Sequence, residues 1–142
     1  MNRFSMALVL LLFWAAWFTL VVASNACDGL KALGVLPGDW PFASGNFELT
    51  VRTTAIYAVP RSAVAALFVG VIAWECLAAA LFWRALIGRR NATTAFSVAV
   101  GLFAMFALAD EGLIAFPSGI ENTHLLVLVA LVVSWLAVRG DA

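Results

Sequence analysis

"SAVAALFVGVIAWECLAAALFW", residues 62–83, decides what kind of chain this is. No proline breaks it, and its single charge is Glu75. About 20 apolar helical residues cross the hydrocarbon layer of a bilayer. A segment of this length in a soluble domain would instead show polar residues at a period of 2 or 3.6. This one shows neither, so it is a predicted transmembrane helix.

Three further stretches read the same way: residues 4–23, 95–116 and 120–138. The chain as a whole agrees, with 65% of its 142 residues hydrophobic, 11% charged, and a mean hydropathy of +1.04. Soluble domains carry about 25% charged residues. The expected fold is a single all-α domain, residues 1–142, forming a four-transmembrane-helix bundle in a lipid bilayer, with bound lipid. Formal net charge is zero, so no basic field points to nucleic acid.

The first stretch could be confused with a signal peptide, since Arg3 precedes an apolar run ending at Ser24-Asn25-Ala26-Cys27. It is long for one, and Ser24 and Asn25 make a poor lipobox, so it is expected to stay as a membrane helix. Arg84, Arg89 and Arg90 cluster in the connection after the second stretch, while Asp110, Glu111 and Glu121 surround the connection after the third. The positive-inside rule then puts both termini and the basic connection in the cytoplasm, and residues 24–61 in the periplasm.

Within that longer connection, "LGVLPGDWPFASGN" has the residues of turns, and "FELTVRTTAIY" fits either a strand or a short interfacial helix. With no second strand to pair it, the helix is the expectation, and Pro60 marks the start of the next membrane segment. Ser118 and Glu121 have the spacing of a capping box before the fourth segment. Cys27 is expected at the outer end of its helix and Cys76 about 20 Å deeper, too far for a disulfide. Trp40, Trp83 and Trp135 fit aromatic belts, while Trp14 and Trp17 should pack inside.

A carboxylate at mid-membrane costs about 2.5–3.5 kcal/mol, so Glu75 must gain a partner. On a helical wheel Phe68, Val71, Ile72, Ala78, Ala79 and Phe82 share its face, while Ala63, Ala66, Gly70 and Ala73 form a small-residue stripe opposite. Both faces suit protein contact. This predicts a homo-oligomer or contact with other membrane subunits, with Glu75, Trp74, Ala66 and Gly70 as interface or register residues. No companion is expected at the depth of Glu75.

A second polar group should gather at the outer end: Asn25, Asp28, Asp110, Glu111, Glu121 and His124. Glu121 and His124 have the E-x-x-H spacing of di-iron bundles, which require two such motifs. This chain has one histidine. A single metal ion on Glu111, Glu121 and His124, with Asp28, is the reduced alternative, and interfacial polarity the simpler one. No catalytic residue set is legible.

Asn25-x-x-Asp28, Arg52 ahead of a proline-led helix, Ile72-Ala73-Trp74-Glu75, and Glu111 near the end of the third helix together resemble a family of bacterial small integral membrane proteins of unknown function. That resemblance covers most of the chain and implies a bacterial inner membrane and four helices, but no chemistry. Three functions are consistent with the sequence: an accessory subunit of a larger, respiratory-type membrane complex; a membrane metal-binding protein or enzyme using the acidic cluster and His124; and an oligomeric proton-coupled carrier centred on Glu75.

Overall fold

A computed structural model describes residues 6–88, 91–113 and 119–140. Among them there is no strand. The order is α1 (Met6–Ala32), α2 (Asn46–Thr54) running into a 3-10 turn at Ala55–Tyr57, α3 (Arg61–Gly88), α4 (Thr93–Leu113) and α5 (Ile120–Gly140). α1, α3, α4 and α5 are each long and apolar enough to cross a membrane. The segment around "FELTVRTTAIY" is helical, as expected, and Pro60 does open α3: its carbonyl accepts from the N–H groups of Ala63 and Val64 at 2.9 and 3.1 Å. Ser118, the expected cap of the last helix, lies outside the described residues.

α1 runs nine residues past its expected end, from 23 to 32. The expectation ended the helix at its first polar residues, but Asn25 and Asp28 are met by protein and stay helical. The stop comes at Gly34, whose φ of 72° is the left-handed conformation glycine tolerates. The Gly34 N–H donates to the Lys31 carbonyl and the Val35 N–H to the Leu30 carbonyl, both at 2.9 Å. These two bonds form a Schellman motif and satisfy carbonyls the helix end would leave open.

The long helices close a ring in which α1 packs on α3, α3 on α4, α4 on α5, and α5 back on α1. Residue pairing fixes the directions. Trp14 and Phe18 meet Phe82 while Gly29 meets Phe68, so α1 and α3 are antiparallel. Phe82 meets Phe96 and Trp74 meets Gly101, so α3 and α4 are antiparallel too.

Two halves of the bundle differ. Towards the α3–α4 connection the interior is aromatic: Phe18 stacks on Phe82 at 5.7 Å, and Phe82 meets Phe96 edge-on at 5.0 Å. Trp14, Phe18, Phe82 and Phe96 are all buried. Large apolar side chains such as Leu20, Val69, Leu108 and Leu126 point outward, as residues facing acyl chains do. Lipid is as apolar as they are, so helix association there rests on packing and interhelical hydrogen bonds. Trp74 Nε1–H donates to the Val98 carbonyl and Trp83 Nε1–H to Thr19 Oγ1, each at 3.0 Å. The other half is polar inside.

Candidate functional site

That polar half is organised by α2, which lies over α1 and α3. An isolated helix of nine residues is unstable in water, and this one is held by a small core and a polar relay. Phe47, Val64 and Phe68 are buried together, with the rings of Phe47 and Phe68 edge-to-face at 5.5 Å. Its first turn has no cap from its own sequence, because Gly45 occupies that position. Asp28 of α1 supplies one. Asp28 Oδ2 accepts from the Phe47 N–H at 2.8 Å and from Ser44 Oγ at 3.1 Å, and Ser44 Oγ in turn accepts from the Asn46 N–H at 3.2 Å.

One turn earlier on α1, Asn25 joins three helices. Its Oδ1 accepts from Asn46 Nδ2 at 2.9 Å, and its Nδ2 donates to both carboxylate oxygens of Glu75 at 2.9 Å. Glu75 is 3% exposed and Asn25 2%. The expectation from sequence is that Glu75 has no companion at its depth. The structure overturns this, because the extended α1 carries Asn25 down beside it. The same shift removes the depth argument for the two cysteines. Both are nevertheless free, Cys27 half-buried and Cys76 exposed.

Asp110 of α4 and His124 of α5 form a second pair, Oδ2 to Nδ1 at 2.6 Å. Phe106 stacks on the imidazole with ring centres 4.8 Å apart, and Phe103 meets it edge-on at 6.0 Å. Asp110, on the Phe103 and Phe106 side of α4, is the acid that meets His124, in place of the Glu111 expected beside it. Glu111 is exposed.

Both pairs line one cavity of about 540 Å³. Thr50, Thr53 and Tyr57 close it from α2 and the following turn, Leu67, Phe68 and Val71 from α3, and Leu113 from α4. The Tyr57 hydroxyl donates to the Gly112 carbonyl at 2.6 Å, tying the α2 arm to α4 across the rim. Ligand cavities of about 300–1,000 Å³ are mostly apolar with a few convergent polar groups, and this one matches. No Lys or Arg side chain lines it among the described residues.

The other anticipated site residues disperse. Glu111 and Glu121 line a separate groove between α4 and α5, away from His124's cavity. Among the described residues no three His, Cys, Asp or Glu side chains converge as a ligand set. Asp28 serves α2. Arg52 is exposed, and Arg61, which lies over the Phe47 ring at 4.8 Å, is the residue that pairs with Glu48. Trp74 lies against Gly101, where a β-carbon would stand 3.5 Å from Cζ2. Ala63, Ala66, Gly70 and Ala73 are exposed on the outer side of α3, and nothing lies within 4 Å of a β-carbon at Gly70.

Among the described residues, these features define a multi-pass membrane protein with four helices fit to cross a bilayer and a mostly apolar cavity that holds two polar pairs. No family model, curated protein or solved structure matches the chain, so the site is interpreted from its own chemistry.

Proposed function

We propose that this chain is a multi-pass protein of a bacterial inner membrane, both termini cytoplasmic, whose periplasmic half binds a small amphipathic molecule. The orientation follows from Arg84 in the last turns of α3 and from Arg89 and Arg90, which follow it in sequence before α4. It puts the aromatic half of the bundle on the cytoplasmic side and α2 on the periplasmic side. One observation supports the binding role: a buried carboxylate, Glu75, shares a 540 Å³ cavity with the Asp110–His124 pair. Structural polarity alone would close around such groups rather than leave space between them.

Binding fits the geometry better than carriage does. The packed layer of Trp14, Phe18, Phe82 and Phe96 fills the other half of the bundle and would have to part for a ligand to cross. A metal role has less support, because its expected ligands are divided between two grooves. The test is native mass spectrometry of protein taken from its own membrane in nanodiscs. A retained small molecule is expected, and it should be lost in Ala109→Trp, which fills the cavity from α4. Recovery of bulk phospholipid in membrane proportions only would overturn the reading.

A second reading, an accessory subunit of a larger membrane complex, respiratory or otherwise, is favoured by the uncovered face Ala63, Ala66, Gly70 and Ala73. Small residues permit close helix approach. Mild-detergent purification should then recover a partner chain or a homo-oligomer that Gly70→Leu releases. A monomer of unchanged size in both proteins would dismiss it.

A further inference from the structure

We propose that the cavity takes a lipophilic cation, a protonated or quaternary amine on an apolar body, with the Glu75 carboxylate as its counter-charge. This rests on the cavity being a ligand site, as proposed above, and names the class of ligand.

The charge inventory supports it first. Two carboxylates, Glu75 and Asp110, line the space, and the sole base there among the described residues, His124, is already engaged by Asp110 at 2.6 Å. With no Lys or Arg on the walls among the described residues, a phosphate or carboxylate ligand would meet two carboxylates and find no fork to bind it. The state of Glu75 supports it next. A carboxylate offers about four acceptor positions, and here a single amide nitrogen, Asn25 Nδ2, serves both oxygens. Asn25 is neutral, so the ionised form of Glu75 has no opposite charge beside it among the described residues. Buried charges persist when they are paired.

The walls decide between a metal ion and an organic cation. Hard metal ions need several oxygen ligands at once, and among the described residues Glu75 belongs to no group of three His, Cys, Asp or Glu side chains. The cavity it shares is lined by Leu67, Phe68, Val71 and Phe106, suited to an apolar body, with aromatic faces that attract a cation.

Occupancy by such a ligand is coupled to protons, since protonating Glu75 discharges the group the cation needs. The ionisable side chains facing the same space are Asp110 from α4, His124 from α5 and Tyr57 from the turn after α2. From α1 comes neutral Asn25, while Asp28 is committed to α2. Charging His124 would also repel a cation, so the two titrations must be separated by substitution.

The experiment measures equilibrium binding of tetraphenylphosphonium to the detergent-purified full chain, with tetraphenylborate as an anion of the same shape. Saturable phosphonium binding is expected, with the borate at least about tenfold weaker. Glu75→Gln should weaken phosphonium at least about tenfold, or about 1.4 kcal/mol. It keeps an oxygen for Asn25, and thermal unfolding checks that the bundle is intact. Binding should weaken on acidification in His124→Gln, Asp110→Asn as in the wild type, and lose that dependence when Glu75→Gln is added to those two substitutions. Ala109→Trp should abolish it with Glu75 in place. Equal binding of phosphonium and borate would overturn the cation assignment while leaving a ligand cavity. Binding that survives Ala109→Trp would place the ion elsewhere on the molecule and overturn it as well. If neither ion binds, the cation assignment falls, and native mass spectrometry then decides separately whether the cavity is a ligand site.

Discussion

Replacing Asp28 with alanine should release α2 and leave the bundle standing. Asp28 Oδ2 is the acceptor for the Phe47 N–H at 2.8 Å and for Ser44 Oγ at 3.1 Å, and Asp28 is 5% exposed. Gly45 offers no side chain to replace it. A hydrogen bond to a charged group contributes about 1.5–3 kcal/mol, and an N-cap about 1. The two descriptions cover the same contact, so they are not summed, and about 2 kcal/mol is expected. Local opening of α2 would rise about 30-fold at about 1.4 kcal/mol per decade. Hydrogen exchange in nanodiscs reads this directly, since amides of residues 46–54 exchange through local opening while helix-core amides follow the whole bundle. Asp28→Asn keeps an oxygen acceptor without the charge and should accelerate exchange only a few-fold. Unchanged α2 exchange in Asp28→Ala, or a parallel rise throughout α1 and α3, would refute the assignment of Asp28 to α2.

Glu48 and Arg61 join the first turn of α2 to the start of α3. The hydrogen bond from Arg61, and then its charge, hold the Glu48 carboxyl below its ordinary range. The folded state therefore takes up this proton less readily than the unfolded chain. Its contribution is fully present above the ordinary carboxylate range and is lost as pH falls through the lowered value. Both side chains are exposed, so the effect on α2 exchange should be small, weakened by salt, and absent in Glu48→Gln. Tyr57→Phe removes the donor to the Gly112 carbonyl and should cost about 0.5–1.5 kcal/mol. It would be read as faster exchange at residues 55–57, with thermal unfolding of the bundle unmoved. Phe82→Ala empties the centre of the aromatic layer, where Phe82 is fully buried among Trp14, Phe18 and Phe96. About 3–5 kcal/mol of destabilisation is expected in reversible detergent unfolding, and a loss below about 1 would show that the layer is not packed as described.

The membrane helices were legible because crossing a bilayer imposes one condition, about 20 apolar residues, that composition reports directly. Glu75 was legible as a buried acid, and its face of α3 was drawn correctly: Phe68, Ala78, Ala79 and Phe82 are buried with it, and the Ala66–Gly70 face points away. Its partner was not legible. A polar residue such as Asn25 ends a helix in lipid but continues one inside protein, and only tertiary contact decides which applies. Nine residues of α1 turned on that point, and with them the depth of every group on the helix. Asp110 and Glu111 posed the same problem in miniature. The phenylalanine face of α4 carries the one that meets His124, and Glu111 is exposed. Hydropathy ranks the two acids equally, and the ring contacts on His124 separate them.

Asn25 is what makes α2 part of the cavity's behaviour. Its amide is used at both ends, accepting from Asn46 and donating to Glu75, so it cannot turn to serve one without losing the other. Asp28 lies three residues on, on the same side of α1, and holds the following N–H of α2. A ligand drawing on Glu75 therefore acts through Asn25 on the helix that covers it. By linkage, binding and α2 docking must favour each other to the same degree. Tetraphenylphosphonium should then slow exchange in residues 46–54, and Asp28→Ala should weaken its binding by the same factor that bound ligand stabilises α2. An affinity unchanged by Asp28→Ala, in a protein whose α2 exchange has risen, would show that the relay holds the helix in place but does not connect it to the site.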